Sequence, residues 1–257
     1  MHSAPPQTAR QWVRPIPGRT QPGGLRLFCF PYAGAGASVF REWGAGLPEG
    51  VEALAVQLPG REDRAFDQPI TDLDELLEAL VPALLPYLDR PFAFFGHSMG
   101  AVVSWELARR LQRERGLEPV RVVVSGCGAL PLHESRPLDQ LDLSDEELVN
   151  QLRRLNGTPE ELLENPDFVT FILPTFRADL SLCAGYVYHP GELLNCPVSA
   201  FGGSADPRVS EEHVKAWAEL TTGRTEVEIF PGGHLFLNSE RENVLRSISR
   251  ALRAVGH

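Results

Sequence analysis

At 257 residues, 43% of them hydrophobic and 23% charged, the chain has the length and apolar content for one domain with a sizeable core. Its net charge of −10 argues against a general nucleic-acid or anionic-membrane binder, which would carry a basic face. The N-terminus lacks a signal-peptide apolar region and no run approaches a membrane span, so the expected location is cytoplasmic.

The first two dozen residues are rich in Pro, Gln, Gly and Arg. They read as a flexible arm, residues 1–24, ahead of a single domain over 25–257. Leu25 to Phe30 reads as a buried strand ending at Pro31, followed by a small-residue loop from Tyr32 to Ser38. Val51 to Gln57 reads as the next strand and stops at Leu58-Pro59-Gly60-Arg61. From Asp72 to about Tyr87, Leu73, Leu76, Leu77, Leu80 and Leu84 recur at helical spacing, with Asp72 and Asp74 favouring the start.

Pro91-Phe92-Ala93-Phe94-Phe95 is a further apolar strand. It runs into Gly96-His97-Ser98-Met99-Gly100 and then an amphipathic helix to about Glu114, with Gly116 as its stop. A strand, a Gly-x-Ser-x-Gly turn and a helix make a nucleophile elbow, which presents a serine hydroxyl at a tight tip beside the first helical N–H groups. The helix also carries a basic run, Arg109, Arg110, Arg113 and Arg115. It reads first as a solvated face, with a docking role as the functional alternative.

Val120 to Gly126, Pro197 to Gly202 and Glu226 to Phe230 read as three more strands, and Ser239 to Ala254 as a final helix. Such alternation predicts an α/β fold, a mostly parallel twisted sheet with helices on both faces. The interval of about 129–195 contains no convincing strand. Ser144-Asp145-Glu146-Glu147 opens one helix there with a capping-box pattern, Pro159 to Leu163 makes a second, and Phe168 to Tyr188 a third, interrupted by Pro174. The interval reads as a helical insertion placed to form a lid over the serine.

A serine hydroxyl needs a base, and the base needs an orienting acid. The last strand ends at Pro231-Gly232-Gly233-His234, and the one before it at Gly202-Gly203-Ser204-Ala205-Asp206. Both loops lie at the sheet edge that carries Ser98. His234 is therefore the candidate base and Asp206 the candidate acid, with Asp179 as its main rival. His97 reads as structural; His133, His189 and His213 lack the strand–loop context. The oxyanion donors expected are the N–H of Met99 and one from the loop after the first strand, best Ala33, with Tyr32 or Gly34 open. Cys29, Cys127, Cys183 and Cys196 are widely spaced and read as small buried apolar residues, with no metal site and no cofactor implied.

Several segments in order give a specific resemblance. They are Phe30-Pro31-Tyr32-Ala33-Gly34, Leu58-Pro59-Gly60-Arg61-Glu62, Gly96-His97-Ser98-Met99-Gly100-Ala101, Leu173-Pro174-Thr175-Phe176-Arg177-Ala178-Asp179, Ala200-Phe201-Gly202-Gly203 with Asp206-Pro207, and Phe230-Pro231-Gly232-Gly233-His234. Together they resemble the type II thioesterases, editing hydrolases that accompany polyketide synthases and non-ribosomal peptide synthetases. The resemblance implies an α/β-hydrolase core with a mobile lid. It implies as substrate an acyl group thioesterified to the phosphopantetheine arm of an acyl or peptidyl carrier protein. Ser98, Asp206 and His234 match the family's triad, and Met99 and Ala33 its oxyanion donors. A medium-chain acyl-carrier thioesterase that releases finished products is the nearest alternative; a catalytically idle carrier-binding protein is more remote. Phe168, Phe171, Phe176, Leu180 and Leu182 either line an acyl chamber or pack the lid.

Overall fold

The computed structural model describes residues 7–18, 24–132 and 143–254. Seven strands form one sheet: β1 (Val13–Pro15), β2 (Leu25–Phe30), β3 (Val51–Val56), β4 (Phe92–His97), β5 (Arg121–Ser125), β6 (Val198–Gly203) and β7 (Thr225–Phe230). Their spatial order is β1-β3-β2-β4-β5-β6-β7. Every pairing is parallel except the antiparallel edge between β1 and β3. The helices are α1 (Gln7–Arg10), α2 (Leu73–Leu84), α3 (Met99–Arg115), α4 (Asp145–Leu155), α5 (Glu160–Leu163), α6 (Pro166–Gly185), α7 (Glu211–Lys215), α8 (Phe236–Ser239) and α9 (Arg241–Arg253).

The central strands are apolar on both faces, as buried parallel strands must be. Successive side chains point to opposite faces of a strand. Accordingly Phe28, Phe30, Phe94, Val122 and Val124 join one core with residues of α2 and α3. Leu27, Cys29, Ala93, Phe95 and Val123 join a second core with residues of α8 and α9. Helices thus cover both faces, as expected from the sequence.

The expectation of a loose arm needs correcting at residues 13–15. β1 pairs Val13 with Val56, Arg14 with Ala55 and Pro15 with Leu54. Val13 and Ile16 are each 4% exposed and anchor the segment, one in each core. Burying these two side chains and pairing an otherwise bare sheet edge offsets the cost of ordering a Pro-rich stretch. Residues 1–6 and 19–23 of the arm lie outside the described residues.

The helical interval begins after β5 and comprises α4, α5 and α6, with its own cluster of Leu148, Val149, Leu152, Leu163, Leu173 and Phe176. Ser144 caps α4 in a full capping box with Glu147, as its sequence predicts. Residues 133–142, including His133, lie outside the described residues. α6 ends at Gly185, short of the expected Tyr188, and differs from expectation in two further ways. It starts at Pro166, because Asn165 accepts from the N–H groups of Asp167 and Phe168. It also runs unbroken through Pro174. The lost backbone bond is tolerated because Leu173, Thr175 and Phe176 are buried on either side. The helix is long and apolar enough to cross a membrane by length and composition only, contrary to the sequence reading, but it carries a buried ion pair to the core described below.

Candidate active site

The serine tip is built by steric necessity. Ser98 adopts φ 53°, ψ −116°, a strained conformation for a residue with a Cβ. A Cβ on Gly96 would lie 2.0 Å from the carbonyl oxygen of Gly100, so the turn closes only with glycine. A Cβ on Gly100 would lie 2.2 Å from the carbonyl oxygen of Phe30. Glycine there lets the first turn of α3 pack against the end of β2 and its small-residue loop. The N–H of Ser98 donates to the carbonyl of Ser125 (2.8 Å), tying the elbow to β5.

The loops after β6 and β7 are laced together. The N–H of Ser204 donates to Phe230 O and that of Ala205 to Gly232 O, both at 2.8 Å. A Cβ on Gly203 would lie 2.5 Å from Gly233 O, so glycine permits this approach. The result brings the three predicted residues into one chain. His234 Nε2 lies 2.9 Å from Ser98 Oγ, and His234 Nδ1 lies 2.8 Å from Asp206 Oδ2. The Asp206 carboxylate is wholly buried, and its Oδ1 accepts the N–H of Arg208 (2.9 Å). The carboxylate can only accept, so Nδ1 carries the hydrogen and Nε2 presents its lone pair to the serine hydroxyl. Such an arrangement can withdraw a proton from Ser98.

Asp179, the rival acid, does something else. It forms a bidentate pair with Arg61 (Nη1–Oδ2 and Nη2–Oδ1, both 2.7 Å) and accepts the N–H of Gly34 (2.7 Å). Both side chains are nearly fully buried, a setting in which losing one partner strands a charge. Gly34 is thereby withdrawn as an anion donor. Ala33, Ser98 and Met99 together line one cavity of about 680 Å³. Its wall is largely apolar, with Val102, Cys127, Leu132, Leu180, Cys183 and Ala184. Burial pushes the Cys127 thiol up to about 12, aided by the nearby Asp206 charge, so it stays a neutral wall residue. A second cavity of about 620 Å³ adjoins it at Gln151, Pro207, Arg208 and His234. Its wall adds the polar side chains of Arg154, Asn156, Asn238 and Ser239 beside Leu155, Leu235 and Phe236.

Of the five residues considered for an acyl chamber, Leu180 lines the cavity, Phe176 and Leu182 are buried packing, Phe168 is half-buried away from the cavity lining, and Phe171 is 56% exposed. Cys183 corrects the expectation of four buried cysteines: it is half-buried and faces the cavity. His213 and Gln151 also line it and were not singled out from the sequence as site residues. A lone His or Gln on an amphipathic helix gives no signal there. Three of the four arginines in the basic run of α3 are engaged in ion pairs: Arg109 with Glu106, and Arg110 and Arg113 with Glu114.

Comparison with known proteins places this geometry. The thioesterase domain family matches residues 25–252. The gramicidin S biosynthesis protein GrsT of Aneurinibacillus migulanus is 41% identical over 231 residues, covering 90% of each chain. The thioesterase PikA5 of Streptomyces venezuelae is 36% identical over 242 residues, covering 93% of this chain and 84% of its own. The solved structure of BorB, a type II thioesterase from the borrelidin biosynthetic cluster, superposes with a TM-score of 0.85 at 38% identity. It covers 93% of this chain and 96% of that one. An α/β-hydrolase sheet, a serine elbow and matches of this extent have one reading: the chain belongs to the thioesterase family.

Proposed function

We propose that this thioesterase hydrolyses acyl groups carried on the phosphopantetheine arm of acyl or peptidyl carrier proteins, clearing stalled groups from polyketide or non-ribosomal peptide synthases. The observation that carries the reading is the Ser98–His234–Asp206 hydrogen-bond chain, opening on an apolar cavity. His234 takes the Ser98 proton as Oγ attacks the thioester carbonyl. The N–H groups of Met99 and Ala33 hold the oxygen that becomes negative. Collapse of this intermediate expels the pantetheine sulfur, which takes the proton from His234. Water, deprotonated by His234, then attacks the acyl-serine and releases the acid and free Ser98. Asp206 keeps the imidazole in its Nδ1–H form and stabilises the imidazolium. The reaction as written uses water and no cofactor.

The cavity at Ser98 takes the acyl group, and the adjoining one takes the pantetheine arm, whose two amides suit Gln151, Asn156 and Asn238. The helical interval serves as a lid: Leu143, Gln151 and Leu180 from it line the cavity over Ser98. The buried thiols of Cys29, Cys127 and Cys196 form no disulfide, which fits a reducing, cytoplasmic setting. The test is intact-mass analysis of acetyl-, propionyl-, hexanoyl- and decanoyl-carrier proteins with the enzyme and with Ser98→Ala. Broad release of the short groups, lost in the variant, is the expected result. A steep preference for decanoyl would replace the editing role with product release.

A further inference from the structure

Asp179 is a fully buried carboxylate that the hydrolytic cycle above does not use. It sits on α6, within the helical interval, yet its contacts are with the loops that follow β2 and β3. Oδ2 accepts both the N–H of Gly34 and Arg61 Nη1, and Oδ1 accepts Arg61 Nη2, all at 2.7 Å. Arg61 Nη1 also donates to the carbonyl of Ala35 (3.0 Å). The lacing continues through Gln57, whose Oε1 accepts the Ala37 N–H (2.7 Å) and whose Nε2 donates to Arg61 O (2.9 Å). Thr175, one turn before Asp179, donates to Gly60 O. The ring of Phe176 closes beneath Gly34, 3.1 Å from where a Cβ would stand. Gly34 itself holds φ +78°, which suits glycine. The loop therefore has polar or packing restraints at positions 34, 35 and 37. Ala33, the residue just before this clamp, is left lining the cavity with Ser98 and Met99.

We propose that Asp179 is a positioning residue: with Arg61 it clamps Gly34, fixing the peptide that follows Ala33, so that α6 sets the anion-binding loop of the active site. The inference rests on the reading of Ala33 as an anion donor. It divides the helical interval in function. α6 is a fixed wall, fastened to the core by Asp179 and Thr175, and any movement of a lid belongs to α4 and α5. It also explains why the N–H of Gly34 takes no part in catalysis, since it is already committed to a charged acceptor.

A trifluoromethyl ketone analogue of the acyl thioester provides the probe. Ser98 Oγ adds to its carbonyl carbon, the carbonyl electron pair becomes the hemiketal oxyanion, and the serine proton passes to His234. In the wild-type protein labelled with ¹⁵N, adduct formation is expected to move the Ala33 amide proton downfield and leave the already downfield Gly34 amide in place. A Gly34 amide that moves with the oxyanion would overturn the proposal without any variant. Asp179→Asn is expected to lower kcat on a soluble acyl thioester about 100-fold, the scale for a misplaced oxyanion donor. Its KM should stay within about threefold, and its inhibition constant for the ketone should rise in parallel with the loss in kcat. Arg61→Lys keeps the buried charge compensated and should show the same pattern at about a tenth of the size. A folded variant with unchanged kcat and unchanged ketone affinity, or one altered only in KM, would sink the clamp. Ser98→Ala is run alongside: turnover surviving there would mean the hydrolytic reading itself had failed, whatever Asp179 does.

Discussion

The ring of His97 lies beneath the candidate base and holds it by the backbone. Its Nε2 is 2.9 Å from the carbonyl oxygen of His234. A carbonyl only accepts, so Nε2 bears the hydrogen and Nδ1 accepts from the Ser125 hydroxyl, 2.9 Å away. The ring fills space that a side chain at Gly126 would need, since a Cβ there would lie 2.5 Å from it. The residue beside the serine thus braces the loop that carries the histidine, linking β4, β5 and the loop after β7.

This brace makes stability depend on pH. Complete burial holds the His97 imidazole well below its ordinary 6.5, with the His234 charge adding to the effect. Below about pH 6.5 the unfolded chain gains a proton that the folded one refuses, so stability is full above that pH and falls as the solution is acidified. His97→Gln is expected to have a lower melting temperature at pH 7.5 and a shallower decline between pH 7 and pH 5.5. Melting curves across that range check it; equal slopes for both proteins would refute the assignment.

Asp206→Asn should cost about 10⁴-fold in kcat while leaving the fold intact. An amide nitrogen donating to Nδ1 would push the hydrogen to Nε2, turning it toward Ser98 with no lone pair to offer. Steady-state hydrolysis with a circular-dichroism control measures this. A loss below tenfold would remove Asp206 from the proton relay.

Gly96→Ala should destabilise the protein by at least about 3 kcal/mol, because the new methyl meets the backbone oxygen of Gly100 and not a yielding side chain. Gly116→Ala offers the contrast: nothing lies within 4 Å of its Cβ, and only its left-handed backbone (φ +62°) is penalised, by about 1 kcal/mol. Urea unfolding of the two variants separates steric collision from backbone preference.

The cavity wall predicts a change in acyl preference. Ala184 faces the cavity from α6. Ala184→Phe should slow decanoyl release by more than about tenfold, the scale on which pocket volume discriminates chains, with acetyl release within about threefold. Competition between acyl-carrier substrates, read by mass, checks the ratio.

Much of this site is legible in the sequence because local rules dictate it. The elbow glycines, the helix cap at Ser144 and the loops ending in Asp206 and His234 each follow from short-range pattern. The partnership of Asp179 with Arg61 spans 118 positions and has no period, so charge alone made Asp179 a rival acid. The cavity side of α6 was equally hidden. Aromatic residues suggested a chamber, but the helix turns Phe176 inward and presents Leu180 and, one turn on, Cys183 and Ala184 to the cavity. Pro174 misled for a related reason: tertiary packing overrode its local preference.

The short antiparallel strand β1 has a consequence outside the reaction. It covers the hydrogen-bonding edge of β3, whose residues Ala53 to Val56 are all buried. Stripped of residues 1–18, the sheet would offer a bare and strongly apolar edge, the template on which a second copy could add its own strand. Light scattering of the shortened chain should grow with concentration where the full chain stays clear. The three residues of β1 therefore act as a stopper against edge-to-edge polymerisation.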